Sequence, residues 1–277
     1  MAKVSYPHYA WAFGHALVLS GSLYSLLGLL TFASRSKSYY LAYAGALVSW
    51  GIVVYKSLGV PQPSKAWVQR ALLDENVQYL LLALYWFLQK PIYVTLIPFA
   101  TFSLFHTLTF LRTSVLPKVP SAPAGSSSAA KAAAAQPQTP GAKLSKAIQV
   151  FVKSRYEQAM LFVAFAEVIV VFGRLVLGAI TFQNSLLSPL FFAHFLRLRF
   201  YLSPPTRTAF SYVNAQLDHY VVANQAVPGG VRKGVKMARE LIARYSESIL
   251  SVQQPGAAGA AGAGAGGAAA AQAHRAR

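Results

Sequence analysis

The sequence contains no cysteine. Disulfides, thiolate nucleophiles and cysteine-ligated zinc or iron–sulfur centres are thereby excluded, and a small extracellular fold held by cross-links is not expected. Acidic residues are scarce as well: seven Asp and Glu stand against 25 Lys and Arg, for a net charge of +18. Charged residues of either sign make up 12% of the chain, about half the share usual in soluble domains. A glycine-rich phosphate loop, a nucleophile elbow and a zinc-protease pair are also missing. None of the six histidines has another histidine or a carboxylate three or four residues away, the spacing of a helical metal pair. The pattern predicts no catalysis, no cofactor and no metal.

What is present is apolar. Hydrophobic residues make up 55% of 277, and the mean hydropathy is +0.41. Such a chain is an integral membrane protein. The stretch from Ala10 to Ala33 is too long for a signal-peptide core and lacks a small-residue cleavage site, so it reads as a retained helix. Tyr39–Tyr55 makes a second helix, and Ser34–Ser38 is short enough to join the two as a hairpin. Gly21 with Ser25, Ala42 with Ala46, and Gly45 with Ser49 recur at the spacing that lets two helices approach closely in lipid.

A second hairpin follows. Ser64 can cap a helix running from Lys65 through Leu88, interfacial in its first half and apolar in its second. Its ten-residue run Tyr79–Leu88 extends about 15 Å, half of the roughly 30 Å hydrocarbon core. The chain turns at Gln89-Lys90-Pro91 and returns through Pro91–Leu111, with a kink expected at Pro98. Residues 1–113 thus form two membrane hairpins, and 114–142 read as a disordered Pro/Ala/Ser linker. Residues 143–203 form a third hairpin with a basic lead-in, the arms Ala159–Phe182 and Leu186–Leu202 meeting at Gln183-Asn184-Ser185. Residues 204–254 carry two amphipathic helices, and 255–277 an Ala/Gly tail read as disordered.

Charge fixes the expected orientation. Arg112–Glu157 holds seven basic residues and one acid, and Arg197–Arg277 holds ten basic residues and three acids. Loops rich in Lys and Arg stay on the cytoplasmic side, so both regions and both termini are placed there. Arg35 and Lys37 then fall on the lumenal side, against the same rule, unless their long side chains snorkel. Nucleic acid is not expected as a partner, because no basic stripe with interleaved stacking aromatics stands outside the membrane segments.

The last helix is the cleanest candidate site. In Thr206–Ala223, Phe210, Val213, Leu217 and Val221 share a stripe. In Val231–Leu250, Val231, Val235, Ala238, Leu241, Ile242, Tyr245 and Ile249 fall within about 120° at 100° per residue, and Arg232, Lys233, Lys236, Arg239 and Arg244 occupy the opposite face. That is the pattern of a helix lying in an anionic membrane surface. The alternative is a helix packing its stripe on the protein's own hairpins.

Within the membrane segments three polar residues stand out: Glu167, Arg174 and His106. Glu167 and Arg174, seven apart, share nearly one helix face, and each charge costs at least about 2.5 kcal/mol at mid-bilayer. A mutual or interhelical salt bridge fixing the hairpin is expected, and lining an ion path is the alternative. His106, near Ser103, Thr107 and Thr109, is expected to hydrogen-bond a neighbouring helix, and Asp74 to pair with Arg70 four residues before it.

The stretches RALLDENVQYLLLALYWFLQKP (70–91), FATFSLFHTLTFLR (99–112), FVAFAEVIVVF (162–172) and SLLSPLFFAHFLRLRFYLSPPTRTAF (185–210), in this order and spacing, resemble the transmembrane protein 33 family, whose fungal members include nuclear-pore-membrane proteins. The resemblance covers roughly residues 10–225. It implies an endoplasmic reticulum and nuclear envelope protein linked to tubule shaping and, in fungi, to building or spacing nuclear pores. The combined expectation is an all-α, polytopic protein of helical hairpins with cytosolic amphipathic C-terminal helices. It stabilises or senses curvature of an anionic bilayer, alongside other membrane-shaping or nuclear pore proteins or further copies of itself. Two alternatives stand: a small channel or transporter using Glu167, Arg174 and His106, disfavoured by the lack of an evident internal repeat, and an adaptor whose basic C-terminal helix binds a soluble partner such as a nuclear import receptor.

Overall fold

The computed structural model describes residues 6–116 and 140–250. Among these residues every regular element is a helix. Of the Pro/Ala/Ser linker expected over 114–142, residues 117–139 lie outside them, as does the Ala/Gly tail, whereas Ser114 and Val115 end a π-helical turn and 140–142 open a helix, so the linker is shorter at both ends than its composition suggested. The chain divides into two units, one ending at Asn214 and one beginning at Ala215.

In the first unit, α1 (Tyr6–Leu30) and α2 (Ser36–Leu58) form the first hairpin. Their small residues meet as the spacing predicts. A Cβ built on Gly45 would lie 2.6 Å from the carbonyl oxygen of Gly14, and one built on Gly14 would lie 2.7 Å from that of Gly45. The two backbones therefore touch where neither position can carry a side chain. Ser49 Oγ donates to the Trp11 carbonyl at 2.9 Å across the same seam.

The Lys65–Leu88 segment is two helices, not the single one expected. α3 (Lys65–Leu73) is capped by Ser64, whose side chain accepts from Trp67 N, and α4 (Glu75–Leu88) by Asp74, which accepts from Asn76 N and Val77 N at 2.8 and 3.2 Å. Asp74 takes an extended backbone with ψ 123°, breaking the helix there. Its carboxylate is thus spent on two amide donors at a helix start, where the dipole favours it. A turn of 3-10 helix at Tyr93–Thr95 leads into α5 (Leu96–Phe110), which continues through a π-helical turn at Leu111–Val115. Pro98 is the third residue of α5. In the first turn its missing N–H has no intrahelical partner to lose, so the kink expected there is not required.

α6 (Pro140–Phe165), a π-helical segment (Ala166–Val171) and α7 (Phe172–Ile180) form one long rod. It turns back through residues 181–186 into α8 (Leu187–Leu202). α9 (Pro204–Leu217) begins two residues later, and its Phe210 and Val213 pack on the core of the first unit.

Among the described residues four rods are long and apolar enough to cross a membrane: Tyr6–Leu30, Ser36–Leu58, Tyr93–Val115 and Pro140–Ile180. α4 and α8, at 14 and 16 residues, reach only about 21 and 24 Å. The protein is an all-α polytopic membrane protein.

Side-chain contacts give the bundle two ends. At one, His8 meets Ser114, and Ser57 donates to Asp74. At the other, the α1–α2 turn meets Tyr93, whose hydroxyl accepts from Arg35 N at 2.9 Å, and Tyr40 donates to the Gln89 carbonyl at 3.1 Å. α8 runs antiparallel to α4, with Tyr85 bonded to Ser188, Tyr79 against Phe195 and Glu75 paired with Arg199. The 181–186 turn therefore belongs to the end that carries the first two hairpin turns.

The second unit contains a π-helical turn (Asp218–Val222) and α10 (Gly229–Leu250).

A candidate functional site: a buried polar latch

The first unit's core holds a charged cluster drawn from three helical segments. Glu167, from the π-helical segment, is fully buried; Tyr79 of α4 and Arg199 of α8 are 2% and 3% exposed. Tyr79 Oη donates to Glu167 Oε1 at 2.6 Å. Arg199 Nε lies 3.8 Å from Glu167 Oε2, and its Nη1 donates to Glu75 Oε1 at the start of α4. The guanidinium carbon also stands 5.3 Å from the centre of the Tyr79 ring. One arginine therefore faces two carboxylates and an aromatic face, and each partner answers part of the cost of burying the others.

The π-helical segment is what aims Glu167. A π turn inserts one residue into the α-helical register, so everything beyond it is rotated by about 100°. Arg174, which a regular helix would place on nearly the same face as Glu167, instead donates to Gln183 Oε1 at 2.9 Å. Of the two ion pairs expected for Glu167, the mutual one with Arg174 is not formed and an interhelical one, with Arg199, is. Arg199 lay unrecognised as Glu167's partner because the two are 32 positions apart, and only the antiparallel docking of α8 brings them together. A buried, uncompensated glutamate followed by an arginine in another membrane helix was the only available signal.

Around Tyr79 the site is aromatic: Phe99, Phe102 and Phe195 meet its ring with centroids 5.0–5.7 Å apart. Asp74, expected to pair with Arg70, caps α4 next to this cluster. His106 takes no part in it. Its ring lies 4.5 Å from that of His15 and 5.3 Å from that of Trp11, so it packs against α1, and the hydrogen bond across that contact is made by His15 Nδ1 and Ser103 Oγ at 3.0 Å. Among the described residues there is no group of three side chains able to hold a metal. The latch fixes the register of α4 against the π-helical segment and α8.

In the second unit, Lys233 and Lys236 are exposed, and Val231 is 51% exposed. Arg239, one of the five cations on the polar face, is bonded to Asp218 Oδ1 at 2.5 Å. The side chains of Ala238, Leu241, Ile242, Arg244, Tyr245 and Ile249 lie outside the described residues.

A family model described as Transmembrane protein 33/Nucleoporin POM33 matches residues 1–248. The chain belongs to this family. It is similar to "Nucleoporin POM33" of Chaetomium thermophilum, 35% identical over 233 residues that make up 79% of each chain. "Tetra-spanning protein 1" of Schizosaccharomyces pombe is 28% identical over 91% of this chain and 88% of its own length. "Pore membrane protein of 33 kDa" of Saccharomyces cerevisiae is 27% identical with the same coverage. No solved structure matches the chain. Family and fold together make it a multi-pass protein of the nuclear envelope and endoplasmic reticulum membrane.

Proposed function

We propose that this chain is a non-enzymatic membrane scaffold that stabilises or senses curvature and supports the assembly or distribution of nuclear pores. The observation that carries the reading is a mismatch of lengths within one bundle. α4 and α8 reach about 21 and 24 Å, while α1 and α2, of 25 and 23 residues, reach about 38 and 35 Å. A bilayer around such a flank must thin or tilt, at fractions of a kcal/mol per Å, so many copies act together.

Two further features support asymmetry between the leaflets. α3 carries exposed Val68 and Leu72 on the same short helix as Lys65 and Arg70, at the end of the bundle where α2 finishes. α10 offers Arg232, Lys233 and Lys236 to anionic headgroups and a stripe beginning at Val231 to the acyl boundary. In this reading both termini and the linker are cytosolic, and the added bulk lies in the cytosolic leaflet. The names of the relatives, a nucleoporin and a pore membrane protein, support the link to pores. Other membrane-shaping or pore proteins and further copies of the chain are the partners; a soluble import receptor on α10 is the rival occupant. A transporter loses support because its three residues are separately engaged: Glu167 with Tyr79 and Arg199, Arg174 with Gln183, His106 with His15.

Fluorescently tagged full-length protein in giant vesicles, from which thin tubes are pulled, tests the proposal. Density in the tube should exceed that in the flat membrane, and Arg232→Gln with Lys233→Gln and Lys236→Gln should lower the ratio. Equal density in tube and flat membrane would contradict it.

A further inference from the structure

Two of the hairpin turns are the same structure built twice. The segments LGLLTFA (27–33) and LGAITFQ (177–183) share Leu-Gly-x-x-Thr-Phe, a repeat too short to stand out along the chain. In each, the threonine hydroxyl donates to the leucine carbonyl, Thr31 to Leu27 at 3.2 Å and Thr181 to Leu177 at 2.8 Å. The amide after the phenylalanine returns to the glycine carbonyl, Ala33 N to Gly28 O at 2.9 Å and Gln183 N to Gly178 O at 2.7 Å. This is the Schellman closure of a helix, whose left-handed residue is usually glycine. Here it is Phe32, with φ 52°, and Phe182, with φ 58°.

The glycine is used instead for close approach. A Cβ on Gly28 would lie 2.7 Å from the Ala33 carbonyl, and one on Gly178 would collide with the Asn184 side chain. A bulky residue in the left-handed region is strained, and such strain persists where something compensates for it. Among the described residues nothing covers these rings: Phe32 is 97% exposed and Phe182 89%. Both turns lie at the same end of the bundle, and the charge there has one sign. Arg35, Lys37, Lys90 and Arg174 fall in segments 24–40, 84–96 and 172–192, which contain no carboxylate. Arg35 stands 3.9 Å from the centre of the Tyr24 ring, folded back along α1.

We propose that this end is an anionic-phospholipid site, in which Phe32 and Phe182 enter the acyl boundary of the leaflet they face and Arg35, Lys37, Lys90 and Arg174 hold lipid phosphates. A cation beside an aromatic wedge at the depth of the headgroups suits a phosphomonoester or phosphodiester with net negative charge, whereas a neutral zwitterionic headgroup carries its own competing cation. The site is independent of the curvature reading.

Because the chain lacks cysteine, single labels test it in the full-length protein. Fluorophores on Ala33→Cys and Gln183→Cys, with one on Thr113→Cys at the other end as a control, are read in phosphatidylcholine vesicles. These contain the same minor fraction of either brominated phosphatidic acid or brominated phosphatidylcholine. At positions 33 and 183 the phosphatidic acid should be favoured over phosphatidylcholine by about fivefold, the weight of one cation at an anionic surface. Arg35→Gln with Lys37→Gln and Lys90→Gln should bring that ratio towards one and leave the Thr113 label unchanged. Phe32→Ser with Phe182→Ser should weaken quenching by both lipids at 33 and 183. Should the charge variant fail to fold, the ratio measured without it decides. Equal quenching by the two lipids would overturn the proposal, as would labels quenched by aqueous iodide but by neither lipid, or shielded from both by a second copy.

Discussion

The α1–α2 and α4–α8 pairs solve the same problem with opposite chemistry. In the first, two long helices meet through Gly14, Gly45 and Ser49, close enough that a Cβ at either glycine would strike backbone. In the second, two short helices meet through Tyr85 on Phe191, Tyr79 against Phe195 and an ion pair at one end. Long helices gain enough from van der Waals contact along their length, because lipid supplies no hydrophobic drive to bring helices together. Short ones have fewer contacts, and shallow ridges alone leave their register loosely defined. A directional lock, Glu167 with Tyr79 and Arg199, supplies what length does not.

The contrast can be broken from either side by unfolding measurements in micelles. Arg199→Leu should have the largest effect, about 3–5 kcal/mol of destabilisation, because it leaves the fully buried Glu167 without its cation. Tyr79→Phe removes one hydrogen bond to a charged acceptor and should cost about 1.5–3 kcal/mol. Gly45→Ala attacks the other pair, and forcing the helices apart by the width of a methyl should cost about 1–3 kcal/mol, leaving cross-linking between α4 and α8 unchanged. Asp74→Ala, which removes a cap outside both seams, should cost about 1 kcal/mol and fray the start of α4. If Gly45→Ala outweighed Arg199→Leu, the assignment of polar locking to the short pair would be reversed.

The sequence made the first hairpin and its small-residue seam legible, because a long apolar run and a period of four residues are local signals. It also showed the turn at Gln89-Lys90-Pro91. It concealed the break at Asp74, since an aspartate ten residues after a good cap looks the same on an exposed helix face as at a new N-cap. The proline at 98 was legible as a residue but not as a position: one turn from the helix start it is harmless. In the latch, Glu167 was visible as an expensive buried charge. Its partner was not, because a π turn altered the register on its own helix and the answering arginine arrives from another.

The central claim is that Glu167 and Arg199 act as one locked pair that seats α8 on α4 and the π-helical segment. A double-mutant cycle with Glu167→Leu, Arg199→Leu and the double replacement, read by unfolding free energy, tests it most directly. The double variant, which still leaves the Tyr79 hydroxyl without its acceptor, should be less destabilised than the two single effects summed, with a coupling of at least about 2 kcal/mol between the sites. Single effects that simply add, within about 0.5 kcal/mol, would contradict it.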